Sequence, residues 1–192
     1  EILGPDIETI TKEKGGIIKP NVPVILGKQE EISASILRKI SRSKNSSILY
    51  QEHPQNIIVS EQGTSFKIKN ESFRTPLIGY HQAFNAALSI AIINQFDSKI
   101  NSKIIQNGLD KTTWPARLQK MSIKPPIFYD VAHNPKGIDA MLKTLTSLYN
   151  CSPIGLITLK SDKEIDMIAK AANGKFKSLI ISGSKKHGLL NG

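Results

Sequence analysis

The residues best equipped for chemistry lie between Trp114 and Pro135. Arg117 carries a planar fork of donors that matches phosphate oxygens. Asp130 offers a carboxylate acceptor thirteen residues later, and Ala132-His133-Asn134-Pro135 sets an imidazole beside an amide. Between them run a polar connector containing Pro125 and Pro126 and a short apolar run, Ile127-Phe128-Tyr129, which reads as a buried strand. Asn134 followed by Pro135 predicts an N-cap and first helical residue. Ile138, Met141, Leu142, Leu145 and Leu148 then recur at helical spacing. Asp130 is thus expected to end a strand, with His133 and Asn134 at the mouth of a helix. In an open α/β sheet that crevice binds ligands, and a helix N-terminus favours anions. A turn merely capped by Asp130 and Asn134 accounts for the local pattern equally well.

Two further places carry candidate groups. Ile7, Ile10 and Lys14 fall on one helical face, which Gly15-Gly16 ends. A lysine on an apolar stripe would be held partly as free amine, able to take up CO2 as a carbamate and so become an anionic metal ligand. A cation favoured at a helix C-terminus explains the same spacing more simply. His81 and Asn85 are neighbours at the start of a helix bearing Ala83, Ala86, Ala87, Leu88, Ile90 and Ala91. The Asn85 amide could pair with a base edge, or with Gln82 could simply bond a nearby loop.

These groups need elements to hold them. Val24 to Leu26, an amphipathic helix through Ile32, Ile36, Leu37 and Ile40, and Ser47 to Tyr50 form a strand–helix–strand unit, the mark of a parallel sheet. From Asn56 to Leu77 short alternating runs split by Gly63 predict an antiparallel meander. A helix covers Ser102 to Leu109, and Asp110 to Pro115 is the best boundary, dividing the chain into 1–110 and 111–192. In the second unit, strands at about 127–130, 154–159 and 178–182 are expected to run parallel. Ser161 and Glu164 read as a capping box between the last two. Ser182-Gly183-Ser184 reads as a plain turn.

Composition narrows the class. The 192 residues carry a net charge of +10 and a pI near 9.7, with a single cysteine, Cys151. One cysteine excludes an internal disulfide framework and fits a reducing compartment, here the cytoplasm. The longest apolar stretch, Ala86 to Ile93, is too short to cross a bilayer. The arginines are only Arg38, Arg42, Arg74 and Arg117, no aromatic residues alternate with the basic ones, and no nucleic-acid motif occurs, so neither nucleic acid nor membrane is an expected partner. A start on Glu1 without Met predicts a piece of a longer protein.

Four stretches together resemble the folylpolyglutamate synthase and dihydrofolate synthase family of the Mur ligase superfamily. They are Leu3-Gly4-Pro5-Asp6 through Glu13-Lys14-Gly15-Gly16-Ile17-Ile18-Lys19-Pro20; Gly79-Tyr80-His81-Gln82 with Asn85-Ala86; Trp114-Pro115-Ala116-Arg117-Leu118-Gln119; and Asp130-Val131-Ala132-His133-Asn134-Pro135. The opening stretch is most similar to the bifunctional bacterial enzymes. The resemblance implies an α/β chain: the later part of a Mur-type central ATPase domain, then a Rossmann-like C-terminal domain with a mainly parallel sheet. It implies an ATP- and Mg2+-dependent ligase that joins L-glutamate to dihydropteroate or a reduced folate through an acyl phosphate, monomeric at full length. Lys14 would be a metal ligand as its carbamate, Asn85 would meet adenine, Arg117 the phosphates and Asp130 the nucleotide. His133 would be a catalytic-motif residue. Ala116 and Val131 stand where the family has glycine. No phosphate loop of the G-x-x-G-K-[ST] kind occurs, so the chain is expected not to catalyse alone. A cell-wall Mur-type ligase and a non-catalytic nucleotide-binding module are the alternatives.

Overall fold

The computed structural model describes residues 4, 6–159 and 165–183. Helix α1 (Ile7–Gly15) opens on Asp6, whose carboxylate accepts from the Thr9 N–H at 2.7 Å. That backbone bond, the main cause, holds the Asp6 carboxyl below its ordinary value. The helix packs on α2 (Glu31–Ser43) through small residues. Thr11 and Ser33 hydroxyls meet at 3.0 Å, and a Cβ on Gly15 would lie 2.4 Å from Ile40 Cδ1, so a larger residue there would require the Ile40 side chain to shift. The face expected to turn inward is therefore not the buried one. Thr11 and Gly15 are buried, while Ile7 and Lys14 are exposed. Close helix packing selected small side chains over the apolar stripe.

Strands β1 (Val24–Leu26) and β2 (Ile48–Tyr50) pair in parallel across α2, as the alternation predicts. Strands β3 (Gln55–Ser60), β4 (Gly63–Ile68) and β5 (Glu71–Thr75) form the antiparallel meander. Along β4, Thr64, Phe66 and Ile68 face inward with period two and meet Phe73 of β5. Helix α3 (Tyr80–Phe96) lays Ala83, Ala86, Ala87 and Ile90 on that face to close the first core. Helix α4 (Ser102–Asp110) is tied to β5 by an Arg74–Asp110 ion pair at 3.0 Å.

Beyond α4 lie β6 (Gln119–Ile123), β7 (Pro126–Tyr129), α5 (Pro135–Tyr149), β8 (Ile154–Ile157), α6 (Ile165–Ala172) and β9 (Ser178–Ile181). Asn134 caps α5 by accepting from the Gly137 N–H at 2.8 Å, with Pro135 next. Ile138 and Leu142 of α5 join Leu159, Ile168 and Ala172 in a second core. Strands β8 and β9 pair in parallel as expected, but β7 does not share that pairing. It pairs antiparallel with β6, the stretch expected to be a polar connector. The pattern of β6 is inverted: Met121 and Ile123 face solvent, while Lys120 and Ser122 turn inward. Lys120 tolerates that position because Glu61, in the β3–β4 turn, pairs with it. Ile154, Leu156 and Ile180 stay exposed on the β8–β9 pair. The capping box at Ser161 and Glu164, Ser184 and His187 lie outside the described residues.

Candidate functional site

The loop carrying Arg117 is bent by two residues in the left-handed region, Ala116 at φ 59° and Leu118 at φ 47°. Neither is glycine, and each such residue costs roughly 1–2 kcal/mol. Four hydrogen bonds hold the bend. The Ala116 N–H donates to Gln119 Oε1 at 3.0 Å, and its carbonyl accepts from the Val131 N–H at 3.1 Å. The Leu118 N–H donates to Asp130 Oδ2 at 2.7 Å, while Asp130 Oδ1 accepts from the Ala132 N–H at 2.6 Å. Ala116 and Leu118 are buried, so the exposed Arg117 between them is set outward on a fixed base. The positive φ at Ala116 gives the physical reason a glycine suits that position.

Arg117 lines a cavity of about 420 Å³ together with Trp114 and with His81, Gln82 and Asn85 of α3. Thr64 fixes the entry to α3. Its hydroxyl donates to the Leu77 carbonyl at 2.8 Å and accepts from the Gly79 N–H at 3.1 Å. Gly79 leaves the first turn of α3 without a side-chain cap. The Gln82 N–H closes the turn on the Gly79 carbonyl at 2.9 Å, and the positive end of the helix dipole shares a cavity with the Arg117 guanidinium, a setting for an anion. His81, Gln82 and Asn85 form a hydrogen-bonded chain, His81 Nε2 to Gln82 Nε2 at 2.9 Å and Asn85 Nδ2 to Gln82 Oε1 at 3.0 Å. His81 is exposed as a residue, yet partial desolvation of its ring holds its pKa below the ordinary value; the Asp130 carboxylate opposes this shift and Arg117 adds to it.

The structure thus brings Asn85 and Arg117 to one cavity, with Asp130 behind the loop. Asp130 and His133 line a second cavity of about 510 Å³ between β7, α5 and β8. The His133 Nδ1–H donates to the Val131 carbonyl at 3.0 Å, which fixes the orientation of the ring. Lys14 lines neither cavity. Among the described residues no group of three or more His, Cys, Asp or Glu side chains is placed to hold a metal ion. His81, Gln82 and Trp114 are pocket residues that sequence reasoning named beside Asn85 and Arg117 without giving them a role. Their position at a helix start and beside a proline was the available signal.

No family model matches the chain. A dihydrofolate synthase/folylpolyglutamate synthase of Bacillus subtilis (strain 168) is 31% identical over 169 residues, 81% of this chain and 39% of that protein. Among solved structures, Mycobacterium tuberculosis folylpolyglutamate synthase complexed with ADP and AMPPCP superposes with a TM-score of 0.86 at 26% identity, covering 98% of this chain and 46% of that one. An FPGS–AMPPCP–folate complex gives 0.81 at 25% identity, covering 92% of this chain and 47% of that one. The chain spans less than half the length of each. Sequence likeness and fold agree over nearly all of it, and the chain belongs to the dihydrofolate synthase/folylpolyglutamate synthase family, with its Mur-ligase type of α/β fold.

Proposed function

We propose that the protein containing this chain is an ATP-dependent ligase that joins L-glutamate to dihydropteroate or a reduced folate. The observation that carries the proposal is the convergence of Asn85 and Arg117 on one cavity at the uncapped start of α3. Relatives complexed with ADP, AMPPCP and folate support it. Asn85 pairs with the adenine edge, and Arg117 sets its donors on phosphate oxygens, where charge develops during phosphoryl transfer. Asp130 keeps lone pairs beyond its two backbone bonds and takes a ribose hydroxyl. His133 lies on the far side of the same loop, its ring held by the Val131 carbonyl, with Nε2 the ring nitrogen that could exchange a proton. ATP, when bound, supplies the phosphoryl group that activates the acceptor carboxylate as an acyl phosphate. Mg2+ accompanying ATP would need only one or two carboxylates beside the phosphate oxygens, and no step is routed through it or through Lys14. The chain is read as two units meeting near 110–115, one for each core, with the nucleotide between them. A cytoplasmic setting accords with the free, exposed Cys151.

The test uses the full-length protein. ADP release should require both L-glutamate and dihydropteroate or tetrahydrofolate. Arg117→Ala should lower kcat by roughly 10²-fold or more, as loss of a donor to developing charge does. Turnover with UDP-muramyl peptides in place of pterins, or an Arg117→Ala enzyme of unchanged rate, would overturn the reading.

A further inference from the structure

Gln82 is a polar side chain with only 4% of its surface exposed, between two groups of the pocket. Its carbonyl accepts one N–H of Asn85 at 3.0 Å, and its amide nitrogen meets His81 Nε2 at 2.9 Å. With the Gln82 carbonyl turned to Asn85, its amide nitrogen donates to His81, so Nε2 accepts through its lone pair and the neutral imidazole carries its proton on Nδ1. Burial of the ring favours that neutral form; the other charged groups facing it, Asp130 and Arg117, act in opposite directions.

With one N–H committed to Gln82, Asn85 has one N–H and its carbonyl oxygen left for the cavity. A donor beside an acceptor complements the amino group and N7 of adenine. The chain has a second self-consistent arrangement. If His81 carried its proton on Nε2, the Gln82 carbonyl would turn to accept it, and the Gln82 N–H2 would turn to the Asn85 oxygen. Asn85 would then offer two N–H donors, the complement of the O6 and N7 acceptors of guanine. Resting on the nucleotide reading of this pocket, we propose that Gln82 is a positioning residue that favours adenine over guanine by locking the Asn85 amide in one of two orientations. It touches no substrate itself. It passes the position of one lone pair, on His81, to the group that reads the base.

The test measures Kd for non-hydrolysable ATP and GTP analogues on the full-length protein, with KM and kcat alongside. Gln82→Met keeps the length and removes both hydrogen bonds. It should cut the ATP-to-GTP affinity ratio roughly tenfold, the worth of one neutral hydrogen bond, and move KM for ATP more than kcat. Gln82→Glu, whose oxygens still accept from Asn85, should hold the ratio within about twofold of wild type on the same argument. In an Asn85→Ala background, Gln82→Met should change the ratio no further. A Gln82→Met ratio equal to wild type, or an equal loss of ATP affinity in both backgrounds, overturns the proposal and leaves Gln82 a packing residue. If Asn85→Ala alone leaves the ratio unchanged, the reading of the base by Asn85 fails, and the relay with it. A measurement on the unmutated protein stands beside these: ¹⁵N shifts should show His81 protonated on Nδ1 and bare on Nε2. The opposite tautomer overturns the proposal.

Discussion

At the scale of single residues, Asp130 does two things that pull on one side chain. Its oxygens accept from Leu118 and Ala132, so it holds the loop behind Arg117 before any ligand arrives. Asp130→Asn should therefore act on more than ligand contact. One backbone N–H would then face an amide N–H2, an unmade hydrogen bond worth about 1–3 kcal/mol when shielded from water. Thermal unfolding of the full-length variant should show a lowered Tm, and KM for ATP should rise as Arg117 loses its fixed base. An unchanged Tm would reduce Asp130 to a ligand contact. Arg117 and Asp130 stood out in the sequence because their side-chain types announce phosphate and hydroxyl chemistry. Their cooperation did not, since it runs through the Leu118 N–H, a group every residue but proline carries. Ala116 was legible only as a departure from a family glycine, and the left-handed backbone supplies its meaning.

At the scale of elements, the meander and α3 were readable because Phe66 and Ile68 alternate with polar neighbours and the alanines recur at helical spacing. Strand β6 was not, because its apolar residues face water and its lysine faces inward. Patterning reports burial only where burial excludes charge, and the Glu61 partner removes that exclusion. The apolar stripe of α1 misled for a related reason, since the helix packs through Thr11 and Gly15 and not through its larger apolar residues. The two cores allow a test of how far the elements act as separate units. Leu142, 1% exposed, and Phe66, 2% exposed, each fill one of them. Leu142→Ala should cost about 2–5 kcal/mol and Phe66→Ala about 3–5 kcal/mol. In urea unfolding each should shift a different transition if the units are independent. A single transition moved alike by both would mean one cooperative unit.

At the scale of the whole molecule, the Glu61–Lys120 pair joins the meander turn to β6, two residues past the Arg117 loop. Lys120→Ala should loosen the setting of Arg117 against α3. We expect KM for ATP to rise severalfold, since losing one partner of a partly shielded pair costs on the order of 1–3 kcal/mol. An unchanged KM would make the pair ornamental to binding. The β8–β9 pair has a different consequence, one for the test tube. Among the described residues β8 and β9 pair only with each other and turn Ile154, Leu156 and Ile180 outward, a template on which another strand could dock, and a net charge of +10 would oppose docking by a second copy of this chain. That repulsion reaches about 10 Å at 0.1 M salt and about 3 Å at 1 M. Light scattering from the 192-residue chain should therefore rise with added sodium chloride, the reverse of salting-in, and Leu156→Lys should suppress the rise. Colloidal behaviour, more than catalysis, is where such a pair of strands would first declare itself.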